Sequence, residues 1–173
     1  IKLSDNSEIN YDRLVLSPGI DFHFDRIVGY SEELSLEFPH AWKAGKQTTL
    51  LRQQLEKIPN GGVFVMTIPS NPYRCPLGPY ERARLVAHYF KTFKPRSKIL
   101  LLDDKDKFSK QPLFMNAWKE LYSDIIEWVP FVQKGNLMEF DSTGRRLISE
   151  FGKFSGDVIN IIPPQRANLL TVK

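Results

Sequence analysis

The sequence predicts a three-layer α/β domain with a mainly parallel sheet, on two observations. Apolar runs at 63–68 and 98–102 are unbroken, which is typical of strands covered by helices on both faces. Segments with helical spacing of apolar residues alternate with these runs. The alternation predicts, in order, a helix at 47–57, a strand at 63–68, a helix at 83–90, a strand at 98–102, a helix at 111–122 and strands at 125–129 and 157–162. The predicted class is therefore α/β and Rossmann-like, the layout of a dinucleotide-binding domain.

Local residues justify the elements between 47 and 122. The first helix carries three leucines on one face and stops at the Asn-Gly-Gly of 60–62, which leads directly into the strand at 63–68. A loop rich in proline separates that strand from the next helix. The strand at 98–102 ends in two aspartates, and the helix at 111–122 carries Phe114 and Trp118 on one side.

The ends of the chain have shorter elements. Residues 137–140 and 147–151 flank a Ser-Thr-Gly-Arg turn and predict a β-hairpin, or meander, that crosses back to the last strand. That strand breaks at Pro163 and Pro164. At the other end, 1–3 and 12–17 predict two short strands. Residues 20–45, rich in aromatics, are predicted to be irregular.

Composition describes an ordinary globular domain: 173 residues, 42% hydrophobic and 25% charged. The net charge of +4 comes from scattered basic residues, so we expect no nucleic-acid binding, which needs a concentrated basic face. No apolar run approaches the roughly 20 residues of a membrane span. The chain starts at Ile1 without an initiator methionine, and we expect it to be a piece of a longer protein.

The loop after the strand at 63–68 is the main functional indication. A nucleotide-binding unit has a G-x-G-x-x-G turn at this point, whose glycines let the backbone approach a pyrophosphate. Here the loop contains Pro72, Pro76 and Pro79 together with Arg74 and the only cysteine, Cys75. We therefore expect no NAD binding at this turn, and a thiol function in its place.

Two interpretations of Cys75 stand at this stage. A lone cysteine can be a small buried apolar residue. Alternatively, Cys75 has a redox role, because both the adjacent Arg74 and the following helix N-terminus stabilise a thiolate. One cysteine forms no disulfide within the chain, so a redox partner would lie in another segment or another chain.

Asp103 and Asp104 occupy the place where an NAD-binding domain has its ribose-binding acid. Without a glycine turn to receive the pyrophosphate, we interpret both as surface charges at a strand end. The three histidines, His23, His40 and His88, do not have metal-ligand spacing, so we predict no metal site.

Four segments together resemble a known family, the flavoprotein subunit of flavocytochrome c sulfide dehydrogenase, which is related to the sulfide:quinone reductases. They occur in the order expected for that family and span nearly the whole chain: YDRLVLSPGIDF at 11–22, PHAWKAG at 39–45, YRCPLGPYER at 73–82 and DVINIIPPQRA at 157–167.

The resemblance implies a division of the chain. Residues 1–22 would be a strand pair leaving an FAD domain, and 23–60 an irregular segment with a connecting helix. Residues 61–162 would form an inserted NAD-binding-like domain, and 163–173 a linker returning to the FAD domain. FAD would be bound by the full-length protein, through a glycine loop outside this chain, so the fragment alone is expected to be inactive.

The resemblance also implies a function. Cys75, assisted by Arg74, would form a redox-active disulfide with a cysteine outside this chain. Sulfide would reduce that disulfide, and a c-type cytochrome subunit in the periplasm would receive the electrons. The open alternatives are a sulfide:quinone reductase, another FAD/NAD(P)H disulfide oxidoreductase, and a non-catalytic nucleotide-binding-like interaction module.

Seven further residues are implied to lie near the flavin. Ser17, Pro18 and Gly19 would pass close to FAD, the alternative being a plain turn at the end of a strand. Gln165 and Arg166 follow a strand end, where ligands bind in open α/β sheets, or else form an interdomain hinge. Trp42 and Lys43 would approach the flavin or the domain interface, or would be a packed tryptophan beside an exposed lysine.

Overall fold

The computed structural model describes residues 1–133, 135–150 and 152–171. Helices and strands alternate through the middle of the chain. In chain order the elements are β1 (Ile20–Phe22), 3₁₀ turns at Phe24–Arg26 and Leu34–Leu36, α1 (Lys46–Lys57), β2 (Val63–Ile68), α2 (Gly78–Phe93), β3 (Lys98–Asp103), α3 (Gln111–Tyr122), β4 (Ile126–Val129), a 3₁₀ turn at Phe131–Gln133, β5 (Glu139–Asp141), β6 (Arg146–Ser149), β7 (Gly152–Ser155), β8 (Val158–Ile161), β9 (Gln165–Ala167) and a 3₁₀ turn at Leu169–Thr171.

Four strands form a parallel sheet in the order β4-β3-β2-β8. The chain leaves β2 towards β3 and β4, and then returns to the other side of β2 as β8. The reversal of strand order therefore falls between β2 and β8, and loops at their carboxyl ends meet there. The predicted Rossmann-like α/β class is confirmed, and β2 lies in the interior of the sheet between β3 and β8.

Side chains of β2 alternate between two apolar layers, because successive residues of a strand point to opposite faces. Phe64, Met66 and Ile68 belong to the core packed against the helices. Val65 belongs to the opposite core, formed with residues of the 27–38 segment and the hairpin strands, including Tyr30, Phe38, Phe140 and Leu147. The sheet is thus the middle of three layers, with helices on one side and the meander on the other.

The meander is larger than the predicted hairpin. Strands β5, β6 and β7 pair antiparallel in that order, so a third strand follows the two expected ones. The second predicted hairpin strand ended at Phe151, which lies outside the described residues. The predicted crossover by a hairpin or meander is confirmed.

Helix α2 begins five residues earlier than predicted, at Gly78 instead of 83. Pro79 occupies its first turn, where the missing N–H costs nothing because those donors have no intrahelical acceptor. Cys75 therefore lies immediately before the helix, in the loop between β2 and α2.

The predicted strands at 1–3 and 12–17 are wrong. Only an isolated bridge joins Lys2 to Glu8, and residues 12–17 contain no strand. A strand needs a partner for its backbone N–H and C=O groups; residues 1–3 pair only locally, through the Lys2–Glu8 bridge, and no described segment pairs with 12–17. Val15 is 88% exposed.

A short two-stranded sheet joins the two ends of the described chain. β1 starts inside the stretch expected to be irregular and pairs antiparallel with β9, with Phe22 opposite Gln165. The segment 163–173, predicted to be a return linker, thus contains a strand; its last two residues lie outside the described residues.

The prediction that Asp103 is a surface charge is wrong. Its side chain is fully buried, and its carboxylate accepts hydrogen bonds from Tyr80 at 2.6 Å and from Trp128 Nε1 at 3.0 Å. The sequence places Asp103 at the end of a strand, but it does not indicate that α2 and β4 supply hydrogen-bond donors to its carboxylate. Asp104 is half-buried, and burial raises its pKa.

Candidate functional site

Cys75 lies on the loop that leaves the carboxyl end of β2, at the edge of the parallel sheet where ligands bind in such folds. It is a free cysteine, it is exposed, and its backbone has a positive φ of 58°. The interpretation of Cys75 as a small buried apolar residue is therefore wrong.

The loop is fixed to the 39–43 segment by a reciprocal pair of hydrogen bonds. The Trp42 indole Nε1 donates to the Arg74 carbonyl at 3.2 Å, and Arg74 Nη2 donates to the Trp42 carbonyl at 2.9 Å. Because each residue is both donor and acceptor, the pair holds the backbone next to Cys75 on that side. Trp42 is buried while its neighbour Lys43 is exposed.

β9 makes a third contact with the loop. The Gln165 Oε1 accepts a hydrogen bond from the Arg74 backbone N–H at 2.8 Å. The other end of the same amide, Nε2, is buried and has no hydrogen-bond partner among the described residues. A buried amide N–H group without a hydrogen-bond acceptor carries a free-energy penalty, and binding of an acceptor would relieve it.

Gly78 lets the thiol and the indole approach one another at the start of α2. A Cβ built on Gly78 would lie 2.7 Å from Trp42 Cη2 and 3.2 Å from Cys75 Sγ. Both groups therefore rest against this glycine, and any side chain there would displace one of them. The structure thus brings together Cys75, Arg74, Trp42 and Gln165, four of the residues predicted for the site.

Other predicted cofactor residues lie elsewhere. Lys43 Nζ forms an ion pair with Asp21 at 2.7 Å, and Arg166 lies opposite Asp21 in the β1–β9 pair. Together they line an open cleft of about 460 Å³.

Ser17, Pro18 and Gly19 precede β1. Gly19 has a positive φ of 78°, and a Cβ at this position would have no described atom within 4 Å apart from its chain neighbours. No hydrogen bond between described residues joins these three to Cys75 or to the Lys43 cleft.

A largely buried polar cluster lies behind Trp42 and was not predicted from the sequence. Arg82 of α2 donates to the His40 carbonyl at 3.1 Å, to the Ala41 carbonyl and to Asn160 Oδ1 at 2.8 Å. Asn160 of β8 in turn donates from Nδ2 to the His40 carbonyl at 2.9 Å. These bonds tie the 39–42 segment to β8 and α2, and so fix where Trp42 lies. The available indication was a charged residue in α2 one turn before the apolar Val86.

Burial controls the charge states of this cluster. It lowers the pKa of Arg82 to about 10, which still leaves the guanidinium charged at neutral pH. Burial, together with the charges of Lys43 and Arg82, lowers the pKa of His40 to about 4. His40 is therefore neutral at physiological pH, and its Nδ1 accepts a hydrogen bond from the Trp42 N–H at 2.9 Å.

The described residues contain neither a metal centre nor a membrane-spanning helix. No three His, Cys, Asp or Glu side chains among them are grouped so that they could hold a metal ion. No helix in that part of the chain has the length and apolar character needed to cross a membrane.

The loop after β2 differs in its suitability for the two ends of a flavin dinucleotide. Gln165 Nε2, next to the Cys75 loop, makes no hydrogen bond among the described residues and would be the donor for the carbonyl and nitrogen acceptors on the edge of a flavin ring. The pyrophosphate end is not accommodated, because Pro72 and Pro76 in the loop after β2 lack the N–H groups that would bind phosphate.

The fold and the loop define a dinucleotide-binding-type domain. In it the loop between β2 and α2 (69–77), called the cysteine loop because it carries Cys75, takes the place of the glycine turn. The sequence profile of the sulfide dehydrogenase (flavocytochrome c) flavoprotein chain, central part, matches residues 48–163. That match covers more than half of the chain, and the chain belongs to this family of flavoprotein oxidoreductases. The resemblance stated from the sequence is thus confirmed, and Arg74 and Cys75 lie within the matched segment.

A curated relative gives the same class. The chain is 22% identical over 174 aligned residues to the mitochondrial sulfide:quinone oxidoreductase of Dictyostelium discoideum. The alignment covers 92% of this chain and 36% of the relative, so the chain spans about a third of that protein's length.

Proposed function

We propose that this chain is the thiol-bearing domain of a sulfide-oxidising FAD enzyme, in which Cys75 forms a redox-active disulfide with a cysteine outside the chain. The observation that carries the proposal is the exposed Cys75, held at the carboxyl edge of the sheet by Trp42, Arg74 and Gln165 within a family named for sulfide dehydrogenation. The substrate is sulfide, which is hydrosulfide at neutral pH.

The thiol step is an exchange reaction. Hydrosulfide attacks one sulfur of the disulfide, a new S–S bond forms to give a persulfide, and the old S–S bond breaks to release the other cysteine as a thiolate. FAD, when bound, supplies a two-electron acceptor that can pass electrons on singly. The role of Cys75 is to be a sulfur of that disulfide. Arg74, Trp42 and Gln165 keep it in one place while the bond is exchanged.

A c-type cytochrome is the proposed electron acceptor, and the periplasm the proposed compartment. The family description, which names flavocytochrome c, supports the cytochrome. A second candidate is a quinone, because the curated relative is named a sulfide:quinone oxidoreductase. With full-length enzyme and sulfide, reduction of soluble cytochrome c without added quinone supports the first acceptor; reduction of a soluble quinone analogue alone supports the second.

The decisive experiment is stopped-flow reduction of the flavin by sulfide in the full-length protein. Cys75→Ser is expected to retain flavin but lose the rapid phase, because a hydroxyl neither forms a disulfide nor leaves as a thiolate. Arg74→Ala should slow that phase, since the loop loses its bond to Trp42. Arg84→Ala is the matched control, an exposed arginine of α2.

The result that contradicts the proposal is equally specific. If Cys75→Ser reduced its flavin at the wild-type rate, Cys75 would have no redox role. The non-catalytic interaction module would then be the better account of this domain. Rapid flavin reduction by NADH, and not by sulfide, would instead favour an FAD/NAD(P)H disulfide oxidoreductase.

A further inference from the structure

A buried ion pair lies beneath the cysteine loop and plays no part in the hydrogen bonds described above for Cys75. Lys105, just after β3, places its Nζ 2.6 Å from Asp103 Oδ1. The lysine side chain is 10% exposed and the aspartate side chain is fully buried. Such a pair is costly to desolvate, so its retention needs good geometry and further hydrogen bonds.

Asp103 has those further hydrogen bonds. Its Oδ2 accepts from Tyr80 on α2 and from Trp128 on β4, while its Oδ1 accepts from Lys105. Three elements thus converge on one carboxylate. The anion is fixed from several sides, and it in turn fixes the ammonium group of Lys105.

The Lys105 ammonium also contacts the cysteine loop. Its Nζ donates to the Pro69 carbonyl at 2.9 Å, where the loop leaves β2. The same ammonium lies 4.9 Å from the centre of the Tyr73 ring, two residues before Cys75. The Tyr73 hydroxyl donates to the Pro76 carbonyl at 3.0 Å, and this hydrogen bond joins residues on either side of Cys75.

The loop depends on such side-chain contacts because its own backbone supplies few. Pro69, Pro72 and Pro76 have no N–H to donate. Trp42 and Gln165 hold the loop at Arg74, on the outer side. Lys105 contacts the start of the loop at the Pro69 carbonyl and the middle of the loop at the Tyr73 ring.

We infer that Lys105, anchored by the buried Asp103, is a positioning residue for Cys75. In a nucleotide-binding domain, the acid at this strand end would bind a ribose. Here it binds a lysine that orients the cysteine loop instead. The inference deepens the function proposed above and rests on it for the meaning of the Cys75 position.

The test compares three variants of the full-length flavoprotein. Lys105→Met keeps the length of the side chain and removes the ammonium, but leaves Asp103 buried without its cation. The double variant Lys105→Met/Asp103→Asn also removes that unpaired charge. Lys107→Met, two residues along the same loop and exposed, is the matched control.

Three measurements separate positioning from stability. Hydrogen exchange of the peptide covering residues 70–77 reports how firmly the loop is held, without any need for activity. Stopped-flow flavin reduction by sulfide reports the redox step. Melting temperature reports the overall stability of each variant.

Lys105→Met should lower Tm, increase exchange in residues 70–77 about tenfold, and slow flavin reduction by a similar factor. The double variant should regain most of the Tm, since no unpaired charge is left buried. Its exchange and its flavin reduction should stay as altered as in the single variant. Lys107→Met should match the wild type in all three.

Wild-type exchange in the double variant would overturn the inference, as would flavin reduction that recovers together with Tm. Failure of the proposed function is seen separately, in a Cys75→Ser variant that still reduces its flavin rapidly. In that event exchange alone decides whether Lys105 holds the loop.

Discussion

Replacing Tyr80 by phenylalanine removes one hydroxyl from the centre of the molecule and little else. The ring is fully buried and stacks on Phe108 with 3.6 Å between ring centres, so the shape of the core is retained. The lost hydroxyl donates to Asp103 at 2.6 Å, and burial raises the pKa of Tyr80, which keeps it a donor. A hydrogen bond to a charged group contributes about 1.5–3 kcal/mol, so Tyr80→Phe should lower the free energy of unfolding by about 2 kcal/mol.

Urea unfolding of the purified chain, followed by tryptophan fluorescence, measures this change. Tyr89→Phe is the matched control. Its ring is half-buried on the same helix, and its hydroxyl makes no hydrogen bond among the described residues. We expect a change of about 0.5 kcal/mol or less for the control. Equal losses in the two variants would refute the assignment of Tyr80 as a donor to a buried charge.

Three further outcomes follow from the structure. The pKa of His40 is about 4 in the folded chain, below its unfolded value of 6.5. The unfolded state therefore binds the proton first, and the free energy of unfolding should fall as pH drops from 6.5 towards 4. His40→Asn should flatten this pH dependence in urea titrations, and an unchanged slope would contradict the assignment. Gly78→Ala should lower the free energy of unfolding by about 1–3 kcal/mol and shift the fluorescence of Trp42, because the Trp42 ring lies 2.7 Å from the added methyl position. An unchanged free energy of unfolding would show that the ring is free to move. Calorimetry should detect no NADH binding to the purified chain, because the proline-containing loop offers too few N–H donors for a pyrophosphate, and micromolar affinity would refute that prediction.

The sequence by itself predicted the elements whose residues are local in pattern. The strand at 63–68 and the helix at 111–122 were predicted with their observed bounds, because unbroken apolar runs and helical spacing are properties of neighbouring residues. The cysteine loop was recognised for the same reason, since its prolines and thiol stand where a glycine turn is expected. Family membership followed from the same local strings.

Only the tertiary structure decided which side chains meet. Arg74 bonds to Trp42 across 32 residues, Arg82 to Asn160 across 78, and Arg74 to Gln165 across 91. Such pairs depend on strand order and on how α2 packs against the sheet, and no spacing in the sequence expresses either.

The errors in the prediction have the same origin. A strand pattern at 12–17 forms no strand without a partner for its backbone, and none of the described residues supplies one. Asp103 looked like a surface charge because its position in the sequence shows no donors; it is buried because Tyr80 and Trp128, from two other elements, supply them. Local periodicity fixes secondary structure, whereas the burial of a charge is decided by the groups that the fold brings around it.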